Sequence, residues 1–190
     1  MFDKLSEKIV CKFCDNEIIL KEDSDLYKYG INVGLMIVTN LSSIAIVGVL
    51  FDMLIESIMF LLVYIPLRSY SGGYHACTPW RCYIISIVMI AAVLKFFNHF
   101  PFSLSLYGIL LLIGLIACII LAPVESKNKP LDEQERRIYK KMALIILSAE
   151  VCIWFILTFV LHIFEEIIPL AIFTEAVMLV LGKIALNKAK

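Results

Sequence analysis

Apolar residues fall into six blocks, at roughly 31–51, 53–67, 83–98, 104–121, 142–163 and 167–182, separated by short polar connections. Blocks of this kind predict membrane-spanning helices, because a hydrocarbon core of about 30 Å takes about 20 residues of helix. The blocks at 53–67 and 167–182 are short for a full crossing. They are expected to tilt little, to thin the bilayer locally or to stop short of the far side. Ahead of the first block, Phe2, Leu5, Ile9 and Phe13 recur at helical spacing with Lys4, Lys8 and Lys12 offset from them. Residues 1–28 therefore predict an amphipathic segment, lying either on the membrane surface or against the protein's own loops. Residues 1–8 carry no apolar core, so a cleavable secretory signal is not expected and the first span itself serves for insertion.

Composition agrees with this pattern. At 61% hydrophobic residues and a mean hydropathy of +0.90, the chain is far more apolar than a soluble domain, where roughly 45–50% is usual. The expected fold class is all-α: one polytopic membrane domain over residues 1–190, with about six transmembrane helices and the amphipathic segment in front. A formal net charge of +0 gives no basic surplus for nucleic acid, so the expected surroundings are membrane lipid. Placement of the charges is more telling than their sum. Sixteen of the 17 Lys and Arg fall in residues 1–28, the 68–82 stretch, the 122–141 loop and the tail from 183, and Lys95 is the exception. Six spans with both termini in the cytoplasm satisfy the positive-inside rule, and they put 68–82 and 122–141 at the cytoplasmic face.

The 68–82 stretch, Arg68-Ser69-Tyr70-Ser71-Gly72-Gly73-Tyr74-His75-Ala76-Cys77-Thr78-Pro79-Trp80-Arg81-Cys82, is the one with candidate chemistry. Thr78-Pro79 reads as a helix start, with Thr78 at the N-cap and Pro79 in the first helical position. Cys82 then falls in the first turn, where unbonded amides and the helix dipole favour a thiolate, and Arg81 adds a positive charge. His75, seven residues earlier, supplies a base. Gly72-Gly73 allows dihedrals and close backbone approach that other residues forbid, as a site gripping a peptide backbone requires. Cys77 is a second thiol near His75, but it precedes the helix start and lacks the help of the dipole, so Cys82 is the expected nucleophile. Taken one at a time, these features are also what a turn, a structural histidine and an inert apolar cysteine look like.

The remaining cysteines suggest no disulfide scaffold. Cys118 and Cys152 lie inside apolar blocks, and Cys11-x-x-Cys14 lacks the partners needed to complete a zinc set, so no metal or other cofactor is expected. Glu56, Glu150 and Glu175 lie within spans, where a carboxylate is costly and therefore a candidate for function. Asp52, His162, Glu165 and Glu166 are expected near the outer interface. One of the glutamates could orient His75 or pair with a cation from another helix; the sequence leaves both open. The 122–141 loop, with Glu125, Lys127, Lys129 and then Asp132-Glu133-Gln134-Glu135-Arg136-Arg137, reads either as a solvated positive-inside loop or as a docking surface for a charged peptide.

The run from Arg68 through Ala76, the Thr78-Pro79 pair and Cys82 seven residues after His75 resemble the accessory gene regulator B (AgrB) family, bacterial membrane cysteine endopeptidases that process a quorum-sensing propeptide. Ala122-Pro123-Val124-Glu125 with Asn128-Lys129-Pro130-Leu131 is more weakly similar to the family's second polar loop. The resemblance implies His75 and Cys82 as the catalytic pair, with Arg68 and Gly73 in support. It also implies an AgrD-like propeptide as substrate, ring closure to a thiolactone or lactone peptide, and a homodimer. Residue chemistry by itself leaves a second class open, a small membrane transporter or peptide exporter working through the intramembrane glutamates.

Overall fold

A computed structural model of the chain describes residues 2–74, 76, 78–99, 104–125, 131–163 and 166–188. Seven helices follow one another: α1 (Asp3–Asp15), α2 (Ser24–Leu50), α3 (Leu54–Ser71), α4 (Pro79–His99), α5 (Leu104–Leu121), α6 (Glu133–Ile156) and α7 (Ile167–Asn187). Among the described residues, α2 to α7 are six helices long and apolar enough to cross a membrane. The protein is all-α and polytopic, as the hydropathy pattern predicts.

Several boundaries differ from that pattern, and three of them have a local reason. α3 runs four residues past Leu67, because the hydroxyls of Ser69 and Ser71 bond back to the carbonyls of Ile65 and Leu67 at 2.8 Å each and let polar residues close the helix. α4 begins at Pro79, so 68–82 is not one loop: it is the last turn of α3, a short connection and the first turn of α4. α6 starts at Glu133, well before its apolar block. The Asp132 carboxylate accepts from the Glu135 amide (2.7 Å), and the Glu135 carboxylate accepts from the Asp132 amide (3.2 Å). This capping box turns the charged run 133–141, expected as loop, into helix.

α1 packs along the start of α2. Asn32 donates to the Asp3 carboxylate (2.8 Å) and accepts from the Phe2 amide (3.3 Å), while Lys28 pairs with Glu7 at 3.3 Å. Ser6 and Val10 are the buried positions of α1 and Leu5 is exposed, so the face set against α2 is not the apolar one the spacing suggested. Ser6 can face inward because its hydroxyl bonds the Asp3 carbonyl (3.0 Å).

α3 and α7 form the spine of the bundle. One core cluster joins Leu67 of α3 to Leu111, Cys118, Leu147, Ile172 and Leu179; a second joins Phe60 and Tyr64 of α3 to Ile44, Ile90, Leu94 and Ile167. α2 presents large apolar side chains outward, among them Ile37, Val38 and Leu50, as a lipid-facing helix does. Phe51 and Met53, at the α2–α3 turn, pack against the core cluster that includes Ile167 at the start of α7, so Asp52, His162 and Glu166 are assigned to that end of the bundle. Gly72 and Val124 meet at the other end. The expected position of Glu165 falls outside the described residues, as do Lys127, Asn128, Lys129 and Pro130.

Candidate functional site

At the second end, the chain leaving α3 is held from three sides. Gly72 and Val124 form an isolated parallel bridge: the Val124 amide donates to Ser71 (2.9 Å), and the Gly73 amide donates to Val124 (3.3 Å). The Tyr74 amide donates to the Met178 carbonyl of α7 (2.8 Å). This connection therefore sinks into the bundle beside the middle of α7 instead of arching over its end. Glycines make that possible. Gly72 and Gly73 have φ of 77° and 113°, and a Cβ on Gly73 would collide with the Arg68 guanidinium and the Met178 carbonyl. On the facing helix, a Cβ on Gly182 would run into the Gly73–Tyr74 backbone.

Arg68 is the third support. Its Nη1 donates to the Gly72 carbonyl at 2.6 Å, and its Nη2 donates to the Tyr74 carbonyl. The same Nη1 lies 3.6 Å from Oε2 of Glu175, whose side chain is wholly buried. The Ser71 hydroxyl is 2.5 Å from the other Glu175 oxygen. Of the two roles the sequence left open for an intramembrane glutamate, the structure gives Glu175 the pairing with a cation of another helix. Tyr64, one helical turn before Arg68, lies in the electrostatic field of Arg68, Glu175 and Cys82.

Cys82 stands near the start of α4 as a half-buried free thiol. Its amide donates to the Thr78 carbonyl (3.1 Å), the first helical bond that an N-cap carbonyl accepts. Pro79 thus occupies the first helical position and Cys82 the fourth, at the end of the first turn. Thr78, Pro79, Trp80 and Arg81 are exposed. Trp80 stacks on Tyr83 (5.5 Å between ring centres), and the Tyr83 hydroxyl is 2.7 Å from Ser43 of α2. His75 and Cys77 lie outside the described residues; His75 directly follows the anchored Tyr74 in the chain.

A basic cavity of about 700 Å³ opens beside Val124. Arg136, Arg137, Lys140 and Lys141 of α6 line it together with Lys183 of α7. Arg136 pairs with Glu125, and Lys140 donates to the carbonyls of Ile119 and Ala122 (2.8 Å to Ala122), tying α6 to the end of α5. Among the described residues, no group of three or more His, Cys, Asp or Glu could hold a metal ion. Cys11 and Cys14 are free thiols on α1.

Of the residues singled out in the sequence, the structure brings Arg68, Gly72 and Gly73 together, and the residues that hold this turn were not singled out as its partners. Val124 and Gly182 carried no signal beyond weak loop similarity and a small side chain within an apolar helix. Glu175 was marked only by its cost in a span.

A six-span helical membrane protein, with a cysteine at a helix start and a glycine turn pinned within the bundle, defines the class: a polytopic protein with a polar site recessed at one end. The profile of the family described as Accessory gene regulator B matches residues 6–181, and the chain belongs to that family. It thereby takes part in the processing of quorum-sensing autoinducer peptides, with an AgrD-like propeptide as the implied partner. A putative AgrB-like protein of Clostridium perfringens is 30% identical over 156 residues, covering 78% of this chain and 73% of the relative. Protein FsrB of Enterococcus faecalis is 32% identical over 120 residues, 62% of this chain and 50% of its own length. A putative AgrB-like protein of Listeria monocytogenes is 28% identical over 133 residues, 66% of this chain and 63% of its own. No solved structure matches the chain.

Proposed function

We propose that the protein is a membrane cysteine endopeptidase that cleaves an AgrD-like propeptide from the cytoplasmic side and promotes closure of its ring. Cys82 is the nucleophile and His75 the base. The sulfur, its proton passed to His75, adds to the scissile carbonyl and gives a tetrahedral oxyanion, for which the free amides at the start of α4 are the natural donors. Collapse breaks the C–N bond, His75 returns the proton to the leaving amine, and the N-terminal part of the propeptide remains as a thioester on Cys82. A thiol or hydroxyl within that bound peptide then displaces Cys82, forming the thiolactone or lactone and restoring the thiol. Proximity favours this internal attack over water.

The observation that carries the reading is the half-buried Cys82 thiol at the start of α4, together with the Arg68–Glu175 pair that holds the chain leading into His75. Arg68 and Gly73 support it by shaping that chain, and Thr78 and Arg81 by opening the helix and adding positive charge. Placing the termini in the cytoplasm follows from the distribution of Lys and Arg. The exporter alternative loses ground because Glu175 is committed to Arg68 and Ser71.

The test is mass spectrometry of a candidate propeptide incubated with the protein in lipid vesicles. Wild type is expected to yield the cleaved tail and the cyclic product, and Cys82→Ala neither. Full processing by Cys82→Ala would overturn the reading.

A further inference from the structure

The geometry points to Glu175 of α7 as a positioning residue for the reaction, acting through Arg68 on the peptide segment that leads into His75. The inference rests on the endopeptidase reading above and adds to it a residue about a hundred positions away in sequence.

Three observations carry it. First, Glu175 is wholly buried and its contacts are specific: Arg68 on one oxygen at 3.6 Å and the Ser71 hydroxyl on the other at 2.5 Å. Burying such a pair brings little net stability, because desolvation offsets the attraction, and apolar side chains of the same size would commonly do as well or better. Its presence in a membrane bundle therefore asks for a role beyond holding helices together. Second, Arg68 does not stop at Glu175. Its planar fork reaches the carbonyls of Gly72 and Tyr74, on either side of Gly73, and so fixes the direction in which the chain enters residue 75. Two carbonyls held by one guanidinium define an orientation that a point charge cannot impose. Third, no side chain can be added between these parts. A Cβ at Gly73 meets the guanidinium, and one at Gly182 meets the backbone that the guanidinium holds. Glu175 compensates the buried charge and sets the tilt of the fork, and the fork sets the turn from Gly72 to Tyr74 that precedes residue 75.

The experiment uses the full chain in lipid vesicles with a propeptide. It compares wild type with Glu175→Gln and Arg68→Lys, and takes His75→Ala and Cys82→Ala as references. Two readouts are taken on folded protein: the separate kcat and KM for cleavage, and the pH profile of Cys82 alkylation by iodoacetamide. Wild type is expected to show an alkylation limb at low pH that His75→Ala lacks. Glu175→Gln and Arg68→Lys are each expected to lower kcat about 100-fold with KM within about threefold, the pattern of lost transition-state positioning. Both are also expected to move the alkylation profile toward that of His75→Ala. If Glu175→Gln does not fold, Arg68→Lys carries the test alone, since it keeps the charge and removes only the fork. A folded variant with the wild-type profile and kcat would overturn the positioning role while leaving Cys82 as nucleophile. Cleavage by Cys82→Ala would instead overturn the reading beneath it.

Discussion

The two ends of the connection between α3 and α4 are built in opposite ways. Gly72 to Tyr74 are hydrogen-bonded to Val124, Met178 and Arg68, and Gly73 is buried. Thr78 to Arg81, five to eight residues beyond Gly73, are exposed, and α4 is steadied through Tyr83 on Ser43 and through Ile90 and Leu94 in the core. In the proposed reaction the first end leads into the base, His75, and the second carries the nucleophile, Cys82. An imidazole must point in one direction to act, which favours fixing the backbone that carries it, whereas a thiol that must receive a whole peptide needs an approach open to its substrate.

Six substitutions test that contrast, the largest effect first. Cys82→Ala is expected to lower the cleavage rate by at least about 1,000-fold, while Cys77→Ala leaves most of it, both read by mass spectrometry of the products. Gly73→Ala forces a side chain into a φ of 113° against the guanidinium and the Met178 carbonyl. About 1–3 kcal/mol of backbone strain is expected there, with a fall of about 100-fold in kcat, measured by thermal denaturation in detergent and by kinetics. Gly182→Ala, on the opposite wall of the same contact, is expected to act in the same direction. At the exposed end, Tyr83→Phe removes the contact with Ser43 and is expected to cost about 1 kcal/mol of stability, seen as a lower Tm, with cleavage within about threefold of wild type. Arg81→Ala is expected to be the mildest, changing kcat/KM about threefold or less and losing even that at high salt, because the side chain is exposed. Equal losses from the Gly73 and Tyr83 changes would erase the contrast between the two ends.

Much of this was legible in the sequence, and the limits have physical causes. Six spans could be read because hydropathy is a sum over many residues and tolerates local errors. The helix ends could not, because hydropathy stops at the last apolar residue, whereas Ser69 and Ser71 bond back to their own helix and Asp132 with Glu135 caps α6. The capping box was visible as Asp-x-x-Glu ahead of the helix, but it lay inside a run read as charged loop. In the 68–82 stretch, the Gly72-Gly73 turn and the Thr78-Pro79 helix start are local signals and could be read. The partner of Arg68 could not, because Glu175 lies 104 residues from Ser71, with which it shares the contact. Only packing of α7 against α3 selects it over Glu56 or Glu150.

The most direct measurement is the intact mass of the protein, quenched in acid during turnover of a propeptide and then digested to locate any adduct. The account predicts an added mass equal to the N-terminal fragment of the propeptide, removable by hydroxylamine as a thioester is, on the peptide that contains Cys82. Turnover with the adduct on Cys77, or with no acylated cysteine at any time in the reaction, would contradict it.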